Sequence, residues 1–260
     1  MVAEVVLRWS AGLDAAVLGE TTGRAELGVT GPDSRSAIAL VDAVLQPGPR
    51  PSYAPPGSAR SLAVADRDRV LVSVHQDLYG DHIATTLTCR GCGDRFDLDF
   101  RLDELVSHCE PEPADPQDEP WRIGDLEFRP LTGEDELAVL GDQDPGEALF
   151  RRVTADADAA SGPPHQARPD VADALGRLAP PVAAPIGAAC PECGAGQSVD
   201  FDIQGFLLAR IMGDRLRLWR AVHQIAATYH WARADILALG RRERETYAEA
   251  ITASSRARVR

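Results

Sequence analysis

Apolar positions along the chain follow two periodicities. Ile38, Val41, Val44 and Leu45 share one face of a helix predicted over Ser34 to Gln46, which Pro47 stops. Leu62, Val70, Leu71, Val74 and Leu78 define a second helix over Ala59 to Tyr79, ended by Gly80. Between 204 and 229 a long helical stripe runs through Leu208, Ile211, Met212, Leu218, Trp219, Val222, Ile225 and Tyr229, with Arg210, Arg217 and Arg220 mostly off it. A short helix over Arg233–Leu239, a break at Gly240 and a further helix to about Ile251 follow, and the basic tail is expected to fray. Period-two alternation marks strands instead. Residues 83–88 are β-prone, Phe96, Leu98, Phe100 and Leu102 alternate with charged residues, and residues 121–131 are strand-like.

The intervening stretches carry turn and cap signals. Residues 1–30 predict short strands and turns. Thr132 and Asp135 have capping-box spacing, and Asp144-Pro145 opens a further helix with Glu147 at its third position. Five prolines between 47 and 56 predict a linker, as does the acidic, Pro-rich segment 110–120. Residues 154–188 read as a linker with one short helix, Pro169 to Leu178. The chain accordingly divides into an N-terminal segment with its linker (1–57), a core with inserted segments (58–203) and a C-terminal helical element (204–253).

Composition narrows the class. With 260 residues and 44% apolar content the chain can bury a core, and no apolar run approaches the length of a membrane span. The N-terminus is a poor signal peptide, so a cytoplasmic protein is the expectation. All 27 basic residues are arginine and the net charge is −13, which disfavours broad nucleic-acid binding. No G-x-S-x-G, P-loop or H-E-x-x-H motif is present, and the six histidines show no metal spacing.

The chemistry lies in the cysteines. Cys89-Arg-Gly-Cys92-Gly aligns without a gap on Cys190-Pro-Glu-Cys193-Gly, and the alignment continues through Leu98-Asp99-Phe100 against Val199-Asp200-Phe201. Cys-x-x-Cys-Gly is a zinc-knuckle signature, and two knuckles complete a tetrahedral four-thiolate site. The reading is one structural zinc per chain, held by Cys89, Cys92, Cys190 and Cys193. The fold class that follows is α+β: a zinc-ribbon-like β core from two distant knuckles, with flanking helices and a C-terminal helical hairpin. Solvent-exposed thiols, disulfides, an iron centre and a thiol–disulfide oxidoreductase are the competing readings. The last is disfavoured because neither motif opens a helix after a strand. Cys109 is read as a small structural residue, and His108 as a spare donor that the site does not require.

Three stretches carry a resemblance. Residues 78–106 (LYGDHIATTLTCRGCGDRFDLDFRLDELV) and 190–211 (CPECGAGQSVDFDIQGFLLARI) resemble the two half-sites of the baseplate hub assembly chaperone family of T-even-type phages and related contractile injection systems. Residues 225–251 (IAATYHWARADILALGRRERETYAEAI) are similar to that family's closing motif, and LTGEDELAVLG (131–141) fits its Thr-Gly-x-x-Glu-Leu segment. Ala232 and Gly240 depart from the usual closing motif. The resemblance implies a bacterial, non-catalytic assembly factor, cytoplasmic or particle-associated, with hub or tape-measure proteins as partners. Tyr229, Trp231, Arg241, Arg242 and Arg244 are the expected partner-binding face. The alternative is a zinc-ribbon nucleic-acid-binding or regulatory protein, for which Arg241, Arg242, Arg244 and the terminal Arg-Ala-Arg-Val-Arg would supply local positive charge.

Overall fold

A computed structural model describes residues 3–110, 121–123, 126–155 and 168–259; side chains at 168–170 and beyond 254 lie outside the description. Residues 111–120 of the expected acidic segment 110–120 and residues 156–167 of the expected linker 154–188 therefore fall outside the described residues. The architecture mixes helices with small antiparallel sheets, in two compact units. One unit comprises residues 1–5, 15–59 and 204–260, so the first and last of the three segments read from the sequence largely share it. The other comprises residues 6–14 and 60–203.

In the first unit, β1 (Ala3–Val6), β2 (Ala15–Leu18) and β3 (Leu45–Gln46) form a three-stranded sheet in that order. Helix α1 (Gly23–Gly28) is capped by the Thr22 hydroxyl, and α2 (Ser34–Val44) by the Asp33 carboxylate, which accepts from the Ser36 amide. The proline-rich stretch after β3 is packed rather than a free linker. Tyr53 and Ala54 are buried, Tyr53 bridges Ala15 in parallel, and the Tyr53 hydroxyl donates to Glu4 at 3.1 Å.

The second unit is organised by α3 (Val64–Tyr79), which begins five residues later than the apolar pattern predicts. Four consecutive residues in its first two turns, Asp66-Arg67-Asp68-Arg69, are all buried. Successive residues on a helix point about 100° apart, so together they reach several distant segments. Asp66 accepts from the amides of Arg8 and Trp9 and the Ser10 hydroxyl at 2.7–2.9 Å. Arg67 pairs with Glu136. Asp68 accepts from the Val182 amide at 3.1 Å. Arg69 donates to the carbonyls of Cys109 and Pro180 and lies 4.4 Å from the Trp9 ring centroid.

Around α3 stand two hairpins, β4 (His82–Thr88) with β5 (Arg95–Arg101), and β8 (Ala183–Ala189) with β9 (Gly196–Asp202). Between them in sequence come α4 (Leu102–His108), the small hairpin of β6 (Trp121–Ile123) and β7 (Leu126–Phe128), α5 (Gly133–Ala138), α6 (Pro145–Val153) and α7 (Arg168–Leu178). The Thr132–Asp135 capping box forms as its spacing predicts, and Asp144 caps α6. Strand β8 replaces the end of the expected linker. Its Ala, Pro and Gly composition has low β propensity, and pairing with β9 overrides it.

Two corrections concern the C-terminal helices. The long stripe is two helices, α8 (Ile203–Gly213) and α9 (Arg215–Tyr229), parted at Asp214. After α10 (Arg233–Ala238), the last helix α11 spans Arg241–Val259, continuing through the tail expected to fray. Leu218, Val222, Ile225, Ile236 and Leu237 form the core of this bundle.

Asp68 gives a pH prediction. Burial pushes its carboxyl from 3.8 up to about 6, against the opposing pull of Arg67 and the Val182 amide, and its Oδ1 is buried with no hydrogen-bond partner among the described residues. The folded state binds this proton more tightly than the unfolded chain. Its favourable contribution is therefore complete below about pH 4 and is lost as pH rises through about 6, a difference of about 3 kcal/mol. Asp68→Asn keeps an acceptor for Val182 and cannot ionise. In urea unfolding, the variant is expected to match or exceed the parent's stability at about pH 8, with that advantage shrinking towards about pH 4.

Candidate metal centre

The two hairpins repeat one another at a constant offset of 101 residues, strand for strand and bond for bond. The Cys89 amide donates to Asp94 O at 2.8 Å and the Cys190 amide to Ala195 O at 3.0 Å; Gly93 N donates to Cys89 O and Gly194 N to Cys190 O, both at 2.9 Å. At the far end, Leu102 N reaches Asp81 O and Ile203 N reaches Val182 O, at 2.9 and 3.1 Å. Leu102 and Ile203 are both fully buried. Gly93 and Gly194 close the knuckles at φ +83° and +71°, a region that costs a residue with a Cβ about 1–2 kcal/mol. Phe100 and Phe201 meet edge to face, with centroids 5.2 Å apart.

This duplication brings the two cysteine pairs together. The Sγ atoms of Cys89, Cys92, Cys190 and Cys193 all lie within 4.8 Å of one another. Cys89–Cys193 is 3.6 Å and Cys92–Cys190 is 3.8 Å, and the repeat exchanges these two pairs. All four are free thiols, since a disulfide requires about 2.05 Å. Four sulfurs about 2.3 Å from a tetrahedral ion stand about 3.8 Å apart, so the spacing fits a metal centre. Cys89 and Cys190 are buried, while Cys92 and Cys193 face solvent.

The electrostatics also call for a cation. The amides of Cys92 and Gly91 pull the Cys89 thiol down to about 6. At Cys92 the Asp94 amide pulls the same way, but desolvation and the Cys89 and Cys193 sulfurs prevail and push it up to about 12. Cys193 is likewise raised: the Ala195 amide pulls it down, and the neighbouring sulfurs and desolvation outweigh it. One sulfur ionises at its neighbours' expense, and a bound cation would let all four ionise together. With four protein ligands the centre has no open position, the arrangement of a structural site.

Gln197 is a member that sequence reasoning missed. Its Nε2 lies 3.5 Å from Cys89 Sγ as a donor, and its Oε1 accepts from the Arg90 amide at 3.1 Å. The residue at the same place in the first hairpin is Phe96, so no repeat signal marked it. Cys109 is buried 3.9 Å from Ala183 O, outside the cluster, and burial raises its thiol. His108 is exposed and is not among the clustered donors.

The expected partner face divides. Tyr229 and Trp231 are 41% and 38% exposed, and with Tyr247 they form a cluster with centroids 5.1–5.8 Å apart. His230 between them adopts a left-handed φ of 58° and ends α9. Arg242 is exposed. Arg241 and Arg244, by contrast, are only 7% and 2% exposed, so they are not part of a docking surface. Both clamp Glu26 of α1. Arg241 reaches Oε2 at 2.6 Å and also Asp214 at 2.8 Å, and Arg244 pairs with Oε1. Their partner lies more than 200 residues away in sequence, where no local pattern reveals it. A Cβ at Gly240, one residue before α11, would meet the Glu20 carboxylate, so glycine there serves packing as well as the break.

Comparisons with protein-family models, curated proteins and solved structures return no match.

Two predictions follow from this geometry. Protein purified in reducing buffer is expected to hold about one metal ion per chain. Cys89→Ser or Cys190→Ser is expected to release it and lower the unfolding midpoint, whereas Cys109→Ser leaves the metal bound, as read by elemental analysis. At the Glu26 clamp, Arg244→Ala leaves the buried Oε1 without its guanidinium while Arg241 still holds Oε2, and is expected to cost about 3 kcal/mol in denaturant unfolding. Arg242→Glu, on the exposed side of the same helix, is expected to change stability by no more than about 0.5 kcal/mol.

Proposed function

We propose that this chain is a non-catalytic assembly factor pinned by one structural zinc ion, acting as a chaperone for the baseplate hub of a phage tail or contractile injection system. The observation that carries the structural half is the closed set of four cysteine sulfurs, supplied by two hairpins far apart in sequence. Such a centre has no position for a substrate. Four thiolates suit zinc and iron alike. A colourless preparation with one zinc per chain supports the zinc reading, and a coloured, redox-active one overturns it.

The biological half rests on the resemblance of residues 78–106, 131–141, 190–211 and 225–251, in that order, to the hub chaperones. The exposed Tyr229–Trp231 pair supports a docking role, since aromatic residues dominate the energetic centres of interfaces. The nucleic-acid reading has less support, because Arg241 and Arg244 are engaged with Glu26 and the net charge is −13.

The test is co-purification from the native host, with nuclease treatment, comparing the parent with Trp231→Ala and with Tyr229→Ala/Arg242→Glu. Recovery of hub or tape-measure proteins with the parent, and their loss from the variants at unchanged zinc content, is the expected result. Salt-sensitive nucleic acid in the parent's eluate, with no tail protein, would favour the rival reading.

A further inference from the structure

The repeated hairpins differ at one position that bears on association. In each hairpin the hydrogen-bonded pairs are set by the knuckle amides, Cys89 to Asp94 and Cys190 to Ala195. Counting back through the register, Ile83, Thr85 and Leu87 point their amides at β5, while His82, Ala84, Thr86 and Thr88 point theirs outward. In β8 the outward set is Ala183, Pro185, Gly187 and Ala189. Pro185 has no amide hydrogen to offer, so β8 is a guarded edge. The repeat-equivalent residue in β4 is Ala84.

The two remaining edges are also guarded. Outward positions on β5 are Arg95, Asp97, Asp99 and Arg101, and those on β9 include Asp200 and Asp202. Charges at such positions discourage strand addition. β4 has neither proline nor formal charge at Ala84, Thr86 or Thr88, and the His82 ring is engaged with Asp99 at 2.7 Å. Ala84, Thr86 and Thr88 are exposed, and their amides have no partner among the described residues. The metal module thus has four edges and leaves one open.

We infer that the β4 edge is a self-association surface, on which β4 of a second copy pairs antiparallel to make a continuous four-stranded sheet. An occupant must be an extended, uncharged strand with its own open edge, and among the described residues β4 is the strand of the metal module that meets that condition. Its sequence is self-complementary about Thr85. Ala84 faces Thr86 and His82 faces Thr88 at the hydrogen-bonded positions. Ile83 faces Leu87 and Thr85 faces its own copy between them. Ile83 and Leu87 meet apolar to apolar with Thr85 against Thr85 between them on one face, the other face pairs Ala84 with Thr86 and His82 with Thr88, and no like charges oppose. The contact is made by backbone amides rather than ion pairs, and two chains of charge −13 repel, so added salt strengthens it.

The test is sedimentation of the full, metal-loaded chain over a wide range of concentration and salt. The expected result is a shift from 27.9 kDa towards twice that mass, more complete at higher salt. Ala84→Pro transplants the guard that β8 already carries at the same register and disturbs no internal hydrogen bond. It is expected to remain monomeric with its metal retained. Thr86→Lys places an edge charge on the same strand and is expected to do likewise. In the parent, hydrogen exchange at Ala84, Thr86 and Thr88 is expected to slow as concentration rises, a readout that needs no variant to fold. A parent chain monomeric throughout, or dimers that survive both substitutions, overturns the inference. So does protection of these amides only when an unrelated protein binds.

Discussion

Four sulfur atoms within 4.8 Å of one another cannot all ionise without a positive charge between them, and the second unit is built on that constraint. Two-stranded hairpins are marginal on their own in water. Here each presents an inner row of apolar and small residues to the other, with Phe96, Leu87, Ala188 and Ala195 gathered beside the buried cysteines. The amides of the knuckles turn towards sulfur and the turn glycines allow it. A cation shared by both loops would fix the hairpins' relative register at the knuckle end.

At the opposite end the same hairpins are held by charge of another kind. Asp68 binds the amide of Val182 where the second hairpin begins, and Arg69 binds the carbonyl of Cys109 where the helix after the first hairpin ends. A single helical turn therefore fastens both halves of the repeat. Burying such groups is expensive unless each is bonded, and among the described residues one Asp68 oxygen has no partner. Its proton affinity registers that cost. The Glu26 clamp in the other unit follows the same logic with its ledger closed, one carboxylate answered by two guanidinium groups.

Much of this was legible in sequence wherever a local rule governs. The knuckle spacing, the capping box at Thr132, the Asp144 cap and the alternation through Phe96, Leu98 and Phe100 each depend on a few neighbouring residues, and each forms as expected. Legibility failed where distant partners decide. The run Asp66-Arg67-Asp68-Arg69 carries no local sign of its burial, because the groups that bond to it lie at residues 8–10, 109, 136, 180 and 182. Arg241 and Arg244 looked like an exposed basic patch for the same reason. Strand β8, with proline and glycine inside it, has no strand signature of its own, yet its repeat-mate has, and extending the match upstream of Cys190 would have found it.

The distance between the half-sites also bears on how the protein is made. At about 5–20 residues per second, about 5–20 s of synthesis separate emergence of the first cysteine pair from that of the second. Over that interval a nascent chain offers two thiolates in a lone loop, enough to capture an ion but not to enclose it. The other unit waits longer still, because its first sheet shares a body with helices translated after the second hairpin. Each body thus waits on segments translated long after its first strands, and a metal's coordination shell would be completed only when the second hairpin arrives to take its place.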